Sequence, residues 1–360
     1  MFKTSFDLAI VGAGPAGATA AWTASRKGLR TLLIDKEVFP RDKVCGDAIP
    51  YEVYTFLREF DAEAHAELLE ASTSQSIRRA RVQTPNGRHV TIQWTTKAVN
   101  SRRLNFDDWL FQKASANEMV LHRCGASVKK MVREKEKWTI EVGNEQFTAR
   151  WLLGAGGAHC PVARKFAEKR TNKNHHLAAV RSYWEDFPAI DPLTNEVYAS
   201  KAIAPGYAWI FPLPNGGANV GLGMLSRDVA KKRIDLKAAL KSFTSEGEMG
   251  VRFAQAKMKG NVKGFDLPLG SKTPLLGGDG WIICGDAASL IDPLDGHGIG
   301  SAMWSGHLAI ECLESILKGQ SANQALETYR RTLDRRFYRR YRLHRQIINA
   351  GRYPALVNII

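Results

Sequence analysis

The sequence predicts an α/β fold, α+β overall, in two domains, and three observations support this. The apolar run at 6–11 breaks into the glycines of Gly12-Ala-Gly-Pro-Ala-Gly17 and leads into an alanine-rich stretch at 16–27, an order typical of strand, turn and helix. A second apolar run at 30–34 ends at Asp35. Residues 175–274 contain strand-like segments separated by proline and glycine, as in a β-sheet domain.

The glycines after the first strand predict a dinucleotide site. Gly12 permits the tight turn, Gly14 lets the backbone approach a pyrophosphate, and Gly17 lets the helix pack closely on the strand. The phosphates would face free N–H groups at the positive end of the helix. Asp35, 18 residues after Gly17, can accept hydrogen bonds from an adenosine ribose. Because the second strand and its acid accompany the glycines, a turn that only packs a helix is the less favoured alternative.

Turn residues and strand-forming runs predict the remaining elements. A small meander turns at Gly143-Asn144, and a helix runs from about 299 to 318. The predicted strands cover 138–142, 147–153, 196–202, 206–212, 218–224 and a run from Gly280 that ends in an acid.

Length and composition favour a globular protein. A chain of 360 residues with 44% hydrophobic residues can bury two substantial cores. No apolar run approaches the ~18 residues of a membrane-spanning helix, and the residues before Phe6 contain no signal-peptide core. A cytoplasmic location is therefore expected. Five cysteines without a C-x-x-C pair disfavour both a disulfide framework and a zinc site, so no metal is expected.

The net charge of +15 predicts an anionic cofactor, substrate, partner or surface. Nucleic acid is not expected, because no recognition motif with stacking aromatics accompanies the charge. Residues 330–345 hold eight arginines and one acid, and apolar residues recur there at spacings of three and four. This pattern predicts an amphipathic helix, with Leu326, Tyr329, Leu333, Phe337 and Tyr341 on its apolar side. Its basic face is either only solvated or docks on an acidic protein or an anionic membrane.

Proline and glycine make residues 39–46 typical of a loop. Arg41 and Lys43 are expected to reach the pyrophosphate of a dinucleotide. Cys45 and Gly46 would then lie near the far end of the cofactor.

Together, the first strand, its glycines, Asp35 and Pro40-x-x-Lys43-x-Cys45-Gly46 resemble the geranylgeranyl reductase family of FAD-dependent oxidoreductases, within the para-hydroxybenzoate hydroxylase-like superfamily. The resemblance implies FAD as the cofactor. It also implies a Rossmann-like FAD-binding domain of the para-hydroxybenzoate hydroxylase type, joined to a β-sheet substrate domain.

Two further stretches extend the resemblance. The segment Arg103-x-x-Phe-Asp107 matches a family segment that places its arginine beside the cofactor. The segment 154–164 matches a second motif imperfectly, because Gly156 replaces an aspartate and Cys160 stands at a serine position. In related hydroxylases that aspartate helps to hold FAD and is tied to the handling of NADPH. The resemblance therefore leaves open whether NAD(P)H, a separate reductase or the substrate supplies electrons.

A strand with alternating aromatic residues resembles the family segment that lines the substrate cavity. Tyr207, Trp209 and Phe211 alternate along it and are expected to project from one face. An ordinary aromatic sheet core is the alternative. Flavin halogenases carry a different pattern at this place, so a halogenase is disfavoured.

The last motif surrounds Asp286, which ends the strand from Gly280. In the superfamily this aspartate bonds the ribityl chain of FAD, and a carboxylate at a strand end is a suitable acceptor for a hydroxyl. The glycines of 292–300, among them Gly296 and Gly298, let backbone N–H groups and the helix from Ile299 face the flavin N1 and C2 carbonyl. Stabilised negative charge there would raise the flavin potential.

Two residues are candidates for catalysis. His297, beside the expected flavin, could stabilise the reduced anion or relay a proton. A loop histidine that is only hydrogen-bonded is the alternative. Cys45 could be a reactive thiolate near a basic loop, or an inert buried cysteine.

These assignments define two domains and a tail. The FAD-binding domain is expected to comprise 1–75, 100–170 and 275–330, the β-sheet substrate domain 76–99 and 171–274, and the basic helix and tail 325–360. The residues expected to bind FAD are Gly12, Gly14, Ala16, Gly17, Asp35, Lys36, Arg41, Cys45, Gly46, Arg103, Gly156, Asp286, Gly296, Gly298 and Ile299.

The predicted function is an FAD-dependent oxidoreductase or monooxygenase. Its apolar or aromatic substrate would be held between the FAD domain and the β-sheet domain. Two alternatives stay open at this point. The positive charge and the missing aspartate favour a monooxygenase-like enzyme that modifies a residue of an acidic partner protein, as in the maturation of cysteine tryptophylquinone. A flavin-bearing assembly protein without turnover is the other.

Overall fold

The structure is a computed structural model that describes residues 5–200 and 203–350. Its strands are β1 Ser5–Val11, β2 Thr31–Asp35, β3 Ser74–Gln83, β4 His89–Ser101, β5 Val120–Cys124, β6 Val128–Glu134, β7 Lys137–Val142, β8 Glu145–Gly154, β9 His176–Glu185, β10 Thr194–Ala199, β11 Tyr207–Leu213, β12 Gly217–Leu225, β13 Lys257–Pro268, β14 Gly277–Gly278 and β15 Trp281–Ile283. Its α-helices are α1 Pro15–Arg26, α2 Tyr51–Phe60, α3 Ala62–Glu70, α4 Arg103–Ser115, α5 Pro161–Phe166, α6 Ser226–Lys232, α7 Leu236–Ser245, α8 Gly247–Phe253, α9 Ile299–Leu317, α10 Ala322–Leu333 and α11 Arg339–Ala350.

Most of the predicted elements are present with shifts of a few residues at their ends. The strand expected at 196–202 is described over Thr194–Ala199, and residues 201–202 lie outside the described part of the chain. The section 175–274 differs from the expectation of a β-sheet alone, because α6, α7 and α8 lie within it. These short helices pack against one face of a sheet. Their formation depends on this tertiary packing, which the local sequence does not predict.

The chain divides into two compact units. Unit 1 comprises the described residues up to Arg41, Phe106–Thr171 and Pro268–Leu343. Its sheet has the order β14-β15-β8-β1-β2-β5, with β15, β8, β1, β2 and β5 parallel. β7 joins β8 in antiparallel pairing, and β6 pairs with β7. The carboxyl ends of β1, β8 and β15 therefore meet at one edge of the sheet, where ligands bind in open parallel sheets.

Helix α1 connects this sheet to α9. It contacts β1, β2 and α9, and its residues from Pro15 to Ser25 are buried. A Cβ atom placed on Gly306 of α9 would lie 2.2 Å from the carbonyl oxygen of Ala16. The two helix backbones are thus in direct contact, which only a glycine at this position permits.

Unit 2 comprises Asp42–Asn105, Asn172–Leu267 and the described residues from His344 on. Its sheet has the order β13-β9-β12-β11-β10-β3-β4, so β13 and β4 are the edge strands. β10 and β3 are parallel, whereas β9, β12, β11 and β10 form an antiparallel series. One face of the sheet carries a buried core with α7 and α8, which includes Val180, Ile210, Val220, Leu240 and Phe253.

The opposite face of this sheet carries the alternate residues, and we call it the aromatic face. Tyr207, Trp209 and Phe211 project from it, with neighbouring ring centroids 6.2 Å apart. Asn219 lies opposite Phe211 on β12, and Gly221 lies opposite Trp209. A Cβ atom on Gly221 would be 2.3 Å from Trp209 Cζ2, so the indole lies directly over this glycine.

Residues 42–75, which we expected in the FAD-binding domain, belong to unit 2 by their contacts. Ala48 forms a bridge to Asn100 on β4, and the N–H of Ile49 donates to the carbonyl of Val99 at 3.1 Å. The hydroxyl of Tyr54 accepts a hydrogen bond from the N–H of Val99 at 2.7 Å. This pairing with β4 holds the segment on the sheet of unit 2.

The basic region at the end of the chain is helical, as its periodicity predicted. α10 continues through a π-helical turn, Asp334–Tyr338, into α11. Tyr329, Leu333, Phe337 and Tyr341 are buried, and Leu326 is half-buried. Residues 351–360 lie outside the described part. No helix within 5–200 and 203–350 has the length and apolarity required to cross a bilayer.

Candidate active site

The turn after β1 is built so closely that two of its glycines admit no side chain. Gly12 has a φ of 110°, and a Cβ atom on it would lie 2.4 Å from the carbonyl oxygen of Ala155. A Cβ atom on Gly17 would lie 1.7 Å from the carbonyl oxygen of Gly12. Gly14 precedes the first turn of α1 and makes no side-chain cap. The start of α1 therefore presents backbone N–H groups at an edge without side chains.

Asp35 joins the end of β2 to this turn. Its Oδ2 accepts a hydrogen bond from the N–H of Ala13 at 2.7 Å, and its Oδ1 accepts one from the N–H of Glu37 at 2.9 Å. Each carboxylate oxygen keeps a further lone pair for a ribose hydroxyl. Lys36 is 72% exposed and lies 3.6 Å from Glu37 in an exposed ion pair.

Arg41 lies beside the same turn. Its Nη2 is 3.3 Å from the position that a Cβ atom on Gly14 would occupy. Its Nη1 lies 2.8 Å from Oδ2 of Asp107, whose side chain is fully buried. Because Asp107 fixes the guanidinium, a positive charge is held next to the start of α1, where a pyrophosphate would bind.

Asp286 lies in a 3-10 turn that follows β15. A Cβ atom on Gly285 would be 2.8 Å from Cβ of Ala16, and one on Gly298 would be 3.5 Å from Oδ1 of Asp286. The Asp286 turn is therefore adjacent to the starts of both α1 and α9. Gly298, like Gly14, precedes its helix without a side-chain cap, so the first N–H groups of α9 at Ile299 have no side-chain acceptor.

The motif around Gly156 lies against the first turn. A Cβ atom on Gly12 would be 2.6 Å from Cα of Gly156. Gly156 itself has a φ of −76°, which any residue adopts, but a Cβ atom there would be 3.2 Å from Cα of Cys160. The chain thus packs tightly where the related hydroxylases carry an aspartate. Burial raises the pKa of the Cys160 thiol, which makes it a packing residue rather than a nucleophile.

His297 is held by the loop before α9. Its Nδ1 lies 3.0 Å from Oδ2 of Asp295, and its backbone N–H donates to Oδ1 of the same residue at 2.9 Å. The N–H of Gly296 donates to the carbonyl of Asp292 at 3.0 Å. An imidazole oriented by a carboxylate suits proton transfer. Its role in catalysis stays a prediction.

Unit 2 contains its own cluster of polar residues, centred on Asp47. This carboxyl is completely buried. Its Oδ2 accepts hydrogen bonds from the Tyr183 hydroxyl and from Nδ2 of Asn219, each at 2.8 Å, and its Oδ1 accepts one from the N–H of Arg103 at 3.2 Å. Asn219 in turn accepts a hydrogen bond from Nε1 of Trp209 at 2.9 Å. The cluster therefore connects Asp47 to the aromatic face.

Burial sets the protonation of this cluster. It raises the pKa of Asp47 to about 6, against the opposing effects of the hydrogen bonds from Asn219 and Tyr183 and of the Arg181 charge. Burial and the charge of Asp47 also raise the pKa of Tyr183, which stays a donor at neutral pH. The guanidinium of Arg181 lies 3.9 Å from the Tyr183 ring and donates to Asp42 at 2.7 Å.

Cys45 and Gly46 lie over the aromatic face within unit 2. The carbonyl of Cys45 accepts a hydrogen bond from Nδ2 of Asn219 at 2.7 Å. A Cβ atom on Gly46 would be 3.1 Å from Cε2 of Phe211 and 3.5 Å from Nε1 of Trp209. The loop is thus packed on the aromatic residues, and Gly46 permits this close approach.

The predicted site residues therefore form two groups. In unit 1 the structure brings together Gly12, Gly14, Ala16, Gly17, Asp35, Arg41, Gly156, Asp286, Gly298 and Ile299, with Lys36, Gly296 and His297 on the adjoining loops. In unit 2 it brings together Cys45, Gly46, Tyr207, Trp209 and Phe211, with the backbone of Arg103 bonded to Asp47.

Comparison with known proteins identifies the family. Residues 7–157 match the sequence profile of FAD dependent oxidoreductases, and residues 177–260 match that of the geranylgeranyl reductase catalytic domain. A menaquinone reductase of Mycobacterium tuberculosis is 30% identical over 326 residues, which cover 86% of this chain and 77% of that protein. The chain belongs to the geranylgeranyl reductase family of FAD-dependent oxidoreductases. The family resemblance, the enzymatic class and FAD as the cofactor are thereby confirmed.

Two more proteins resemble this FAD-dependent oxidoreductase. A digeranylgeranylglycerophospholipid reductase of Methanosarcina acetivorans is 29% identical, over 90% of this chain and 79% of that protein. The crystal structure of a geranylgeranyl bacteriochlorophyll reductase-like protein from Thermoplasma acidophilum superimposes with a TM-score of 0.84 at 22% identity, over 98% of this chain and 90% of that chain. The predicted fold class is confirmed by this likeness.

The residues of unit 1 fit FAD. Two helices, α1 and α9, begin without side-chain caps beside a strand-end carboxylate, Asp286. Such N–H groups suit the pyrophosphate and the polar edge of the flavin, respectively, and the carboxylate suits a ribityl hydroxyl. Because Gly12 and Gly17 have no side chains, the backbone at the start of α1 is accessible to a pyrophosphate.

Three residues of the candidate sites were not identified from the sequence alone. Asp107 belongs to the family segment that begins at Arg103, but the resemblance implies a role only for the arginine. Asp47 follows Cys45-Gly46 directly, but nothing local indicates that it is buried. Lys169 lies in a run of charged residues, and no sequence signal separates it from its exposed neighbours.

Lys169 supports the Asp286 turn. Its ammonium donates to the carbonyls of Asp286 and Ala287 at 2.6 and 3.0 Å. Burial lowers the pKa of Lys169 to about 8, although the charge of Asp286 opposes this. We expect Lys169→Met to raise the Kd for FAD about tenfold, because two buried carbonyls lose their donor. Titration of the apoprotein with FAD, followed by flavin fluorescence, measures this change.

The matched control is Lys165→Met. Lys165 also donates to a carbonyl, that of Met131 at 2.8 Å, but it does not bond the Asp286 turn. In the wild type, the Kd should also rise as the pH increases through about 8, where Lys169 loses its charge. The same Kd and the same pH profile in wild type and Lys169→Met would contradict the assignment.

Proposed function

We propose that this FAD-dependent oxidoreductase reduces carbon–carbon double bonds in the prenyl chain of a lipid. Menaquinone and the geranylgeranyl group, named in the relatives and in the matching catalytic domain, both contain prenyl chains. The enzyme would act in the cytoplasm on a substrate taken from, or returned to, a lipid phase.

The observation that carries the proposal is the aromatic face. It lies within the residues that match the geranylgeranyl reductase catalytic domain. Trp209 is 7% exposed, and Tyr207 and Phe211 are half-buried, so three neighbouring rings, tilted by 57° and 31°, form an apolar surface on one side of the sheet. Rings of this kind orient an unsaturated hydrocarbon and exclude water from it.

Each unit would contribute a separate part of the reaction. In unit 1 the start of α1, Asp35 and Arg41 hold the ADP portion of FAD, Asp286 holds the ribityl chain, and the start of α9 faces the flavin. When reduced, FAD supplies a hydride to a double bond. Saturation also requires one proton on the neighbouring carbon, and Cys45 and His297 stay the candidates for its delivery. In the test, dithionite takes the place of the electron donor, NAD(P)H or another reductant.

The test is anaerobic single turnover. The holoenzyme is reduced with dithionite and mixed in detergent with geranylgeranyl diphosphate, a digeranylgeranylglycerophospholipid or menaquinone. We expect the oxidised flavin absorbance to return with at least one of them. Mass spectrometry should then show the gain of two hydrogen atoms for each reduced double bond. A fully loaded, fully reduced enzyme that saturates none of the three would overturn the proposal.

A variant pair tests the aromatic face. Phe211→Ser should raise KM about tenfold, because it removes apolar area from the substrate surface. Phe211→Leu keeps an apolar side chain of similar reach and should change KM much less. Equal KM values for the two variants would show that Phe211 only packs the sheet. The FAD content of both variants serves as the control for unit 1.

No specific observation favours modification of a partner protein or assembly without turnover. The relatives are named as reductases. Flavin reoxidation by a prenyl substrate in single turnover separates the proposed reductase from both alternatives, because neither a partner-modifying enzyme nor an assembly protein would pass electrons to that substrate.

A further inference from the structure

The edge hairpin of unit 2, β3 and β4, exposes an apolar stripe. Val82, Val90, Ile92 and Trp94 are 37%, 43%, 45% and 43% exposed, and we call them the hairpin surface. Val90 lies directly opposite Val82, and Ile92 lies opposite Ala80. Val90, Ile92 and Trp94 are spaced by two residues along β4. Alternation along the strand therefore gathers their side chains on one face of the hairpin.

This stripe belongs to the same side of the sheet as the aromatic face. Val82 pairs with Val197 on β10, and Val197 pairs with Trp209 on β11. Residues directly opposite each other across neighbouring strands share a face. The apolar surface thus extends across β11, β10 and β3 to the edge strand β4, all within unit 2.

The charge of the hairpin is entirely of one sign. Residues 71–106 contain no aspartate or glutamate, and they contain seven arginines and lysines. Of these, Arg78, Arg88 and Lys97 belong to the hairpin and are exposed. Elements that bind at the interface of an anionic bilayer typically combine exposed apolar side chains and tryptophan with basic residues. The hairpin has this composition.

The basic helical region is less suited to this role. Arg330 and Arg331 pair with Glu327 at 2.6 Å, and Arg339 and Arg342 pair with Asp334 at 3.0 and 2.9 Å. Its apolar side chains from Tyr329 to Tyr341 are buried, whereas Leu343 and Ile347 on α11 are 56% and 47% exposed. This region therefore exposes two aliphatic side chains, whereas the hairpin surface exposes four apolar side chains that include a tryptophan.

We propose that the hairpin surface docks the enzyme on anionic phospholipid bilayers. Val82, Val90, Ile92 and Trp94 enter the interfacial region, and Arg78, Arg88 and Lys97 meet the lipid headgroups. A second copy of this chain is a poorer occupant, because both copies carry the same excess of positive charge. The surface would set the enzyme at a lipid phase whether or not its substrate is a prenyl lipid.

The test is flotation of the holoenzyme with vesicles. We expect the wild type to bind phosphatidylcholine vesicles that contain phosphatidylglycerol, to bind pure phosphatidylcholine vesicles more weakly, and to be released partly by salt. The double variant Ile92→Gln, Trp94→Gln and the double variant Arg88→Gln, Lys97→Gln should each lower the partition coefficient about tenfold or more.

Two controls match these changes in chemistry. Val251→Gln alters a residue that is 79% exposed on α8, a helix of the opposite face. The double variant Arg331→Gln, Arg342→Gln removes the same number of charges from the basic helical region. Both should bind vesicles as the wild type does. Unchanged binding by the Ile92, Trp94 variant, or equal loss in the controls, would overturn the proposal, and so would a wild type that ignores anionic vesicles.

Activity in detergent separates this inference from the proposed function. Substitutions on the hairpin surface should leave single turnover on a detergent-solubilised substrate unchanged, while they lower turnover on the same substrate in vesicles in proportion to the lost binding. If the enzyme binds vesicles but saturates no prenyl chain, the docking inference stands and the proposed function fails.

Discussion

Gly17→Ala should yield a colourless protein. The added Cβ atom would lie 1.7 Å from the carbonyl oxygen of Gly12 and 2.9 Å from its carbonyl carbon. Both are backbone atoms, so no side-chain rotation relieves the collision, and α1 must move away from the turn. We expect the Kd for FAD to rise by at least about 100-fold, because the N–H groups at the start of α1 lose their alignment with the pyrophosphate.

The measurement is the ratio of flavin to protein after purification, followed by reconstitution with excess FAD. Gly28→Ala is the matched control at the other end of α1. Gly28 has a φ of 71°, so an alanine there is strained by roughly 1 kcal/mol, but its Cβ atom would meet nothing within 4 Å. Gly28→Ala should therefore stay yellow with a slightly lower melting temperature. A Gly17→Ala protein that binds FAD like the wild type would show that the turn does not hold the pyrophosphate.

The effect also extends to the second helix. Ala16 contacts both Gly285 and Gly306, which precede and follow the start of α9 in sequence. A displacement of α1 would therefore disturb the Asp286 turn and the packing of α9 together. For this reason Gly17→Ala should also lower the melting temperature of the apoprotein, in contrast to Asp286→Ala, which changes only an acceptor.

The first glycine turn could be predicted because its cause is local. The positive φ of Gly12 and the close approach at Gly17 are properties of a few consecutive residues, so spacing alone indicates them. Asp286 and the start of α9 were predictable for the same reason. The confirmed family and cofactor rest on these segments.

What escaped prediction depends on residues far apart in sequence. Asp47 is buried because Tyr183 and Asn219, from two strands more than a hundred residues away, surround it. The position of the Lys169 ammonium depends on two carbonyls that lie 117 and 118 residues further along the chain. The placement of residues 42–75 in unit 2 likewise follows from pairing with β4. Such arrangements arise from the tertiary fold, which local patterns do not encode.

Because of Asp47, the free energy of unfolding of the enzyme should decrease as the pH rises from about 4 to about 6. The carboxyl has a pKa of about 6 in the folded protein and an ordinary value of 3.8. Between these values the folded state binds more protons than the unfolded state, so raising the pH favours unfolding. Above pH 6 the loss is complete and amounts to roughly 3 kcal/mol of unfolding free energy, since each pKa unit corresponds to about 1.4 kcal/mol.

Asp47→Asn removes this titration, so the free energy of unfolding should change much less with pH between about pH 4 and pH 6. The amide cannot accept hydrogen bonds at both positions, so one of the three donors from Tyr183, Asn219 and Arg103 loses its acceptor, at a cost of about 1–3 kcal/mol. The variant should therefore be the less stable protein at pH 4, and the difference should narrow by pH 7. Urea unfolding at several pH values, followed by tryptophan fluorescence, measures both effects.

Asp191→Asn is the control, because the pKa of Asp191 is shifted in the opposite direction from that of Asp47. Hydrogen bonds from Leu193 and Thr194 and the charge of Arg79 keep the pKa of Asp191 below its ordinary value, against a burial effect that raises it. Its contribution is lost only as the pH falls below about 4, so Asp191→Asn should keep the wild-type slope between pH 4 and pH 6. If Asp47→Asn keeps that slope as well, the carboxyl is ionised in the folded protein throughout this range. The Arg181 charge would then outweigh burial, and Asp47 would act as a fixed negative charge beside the aromatic face.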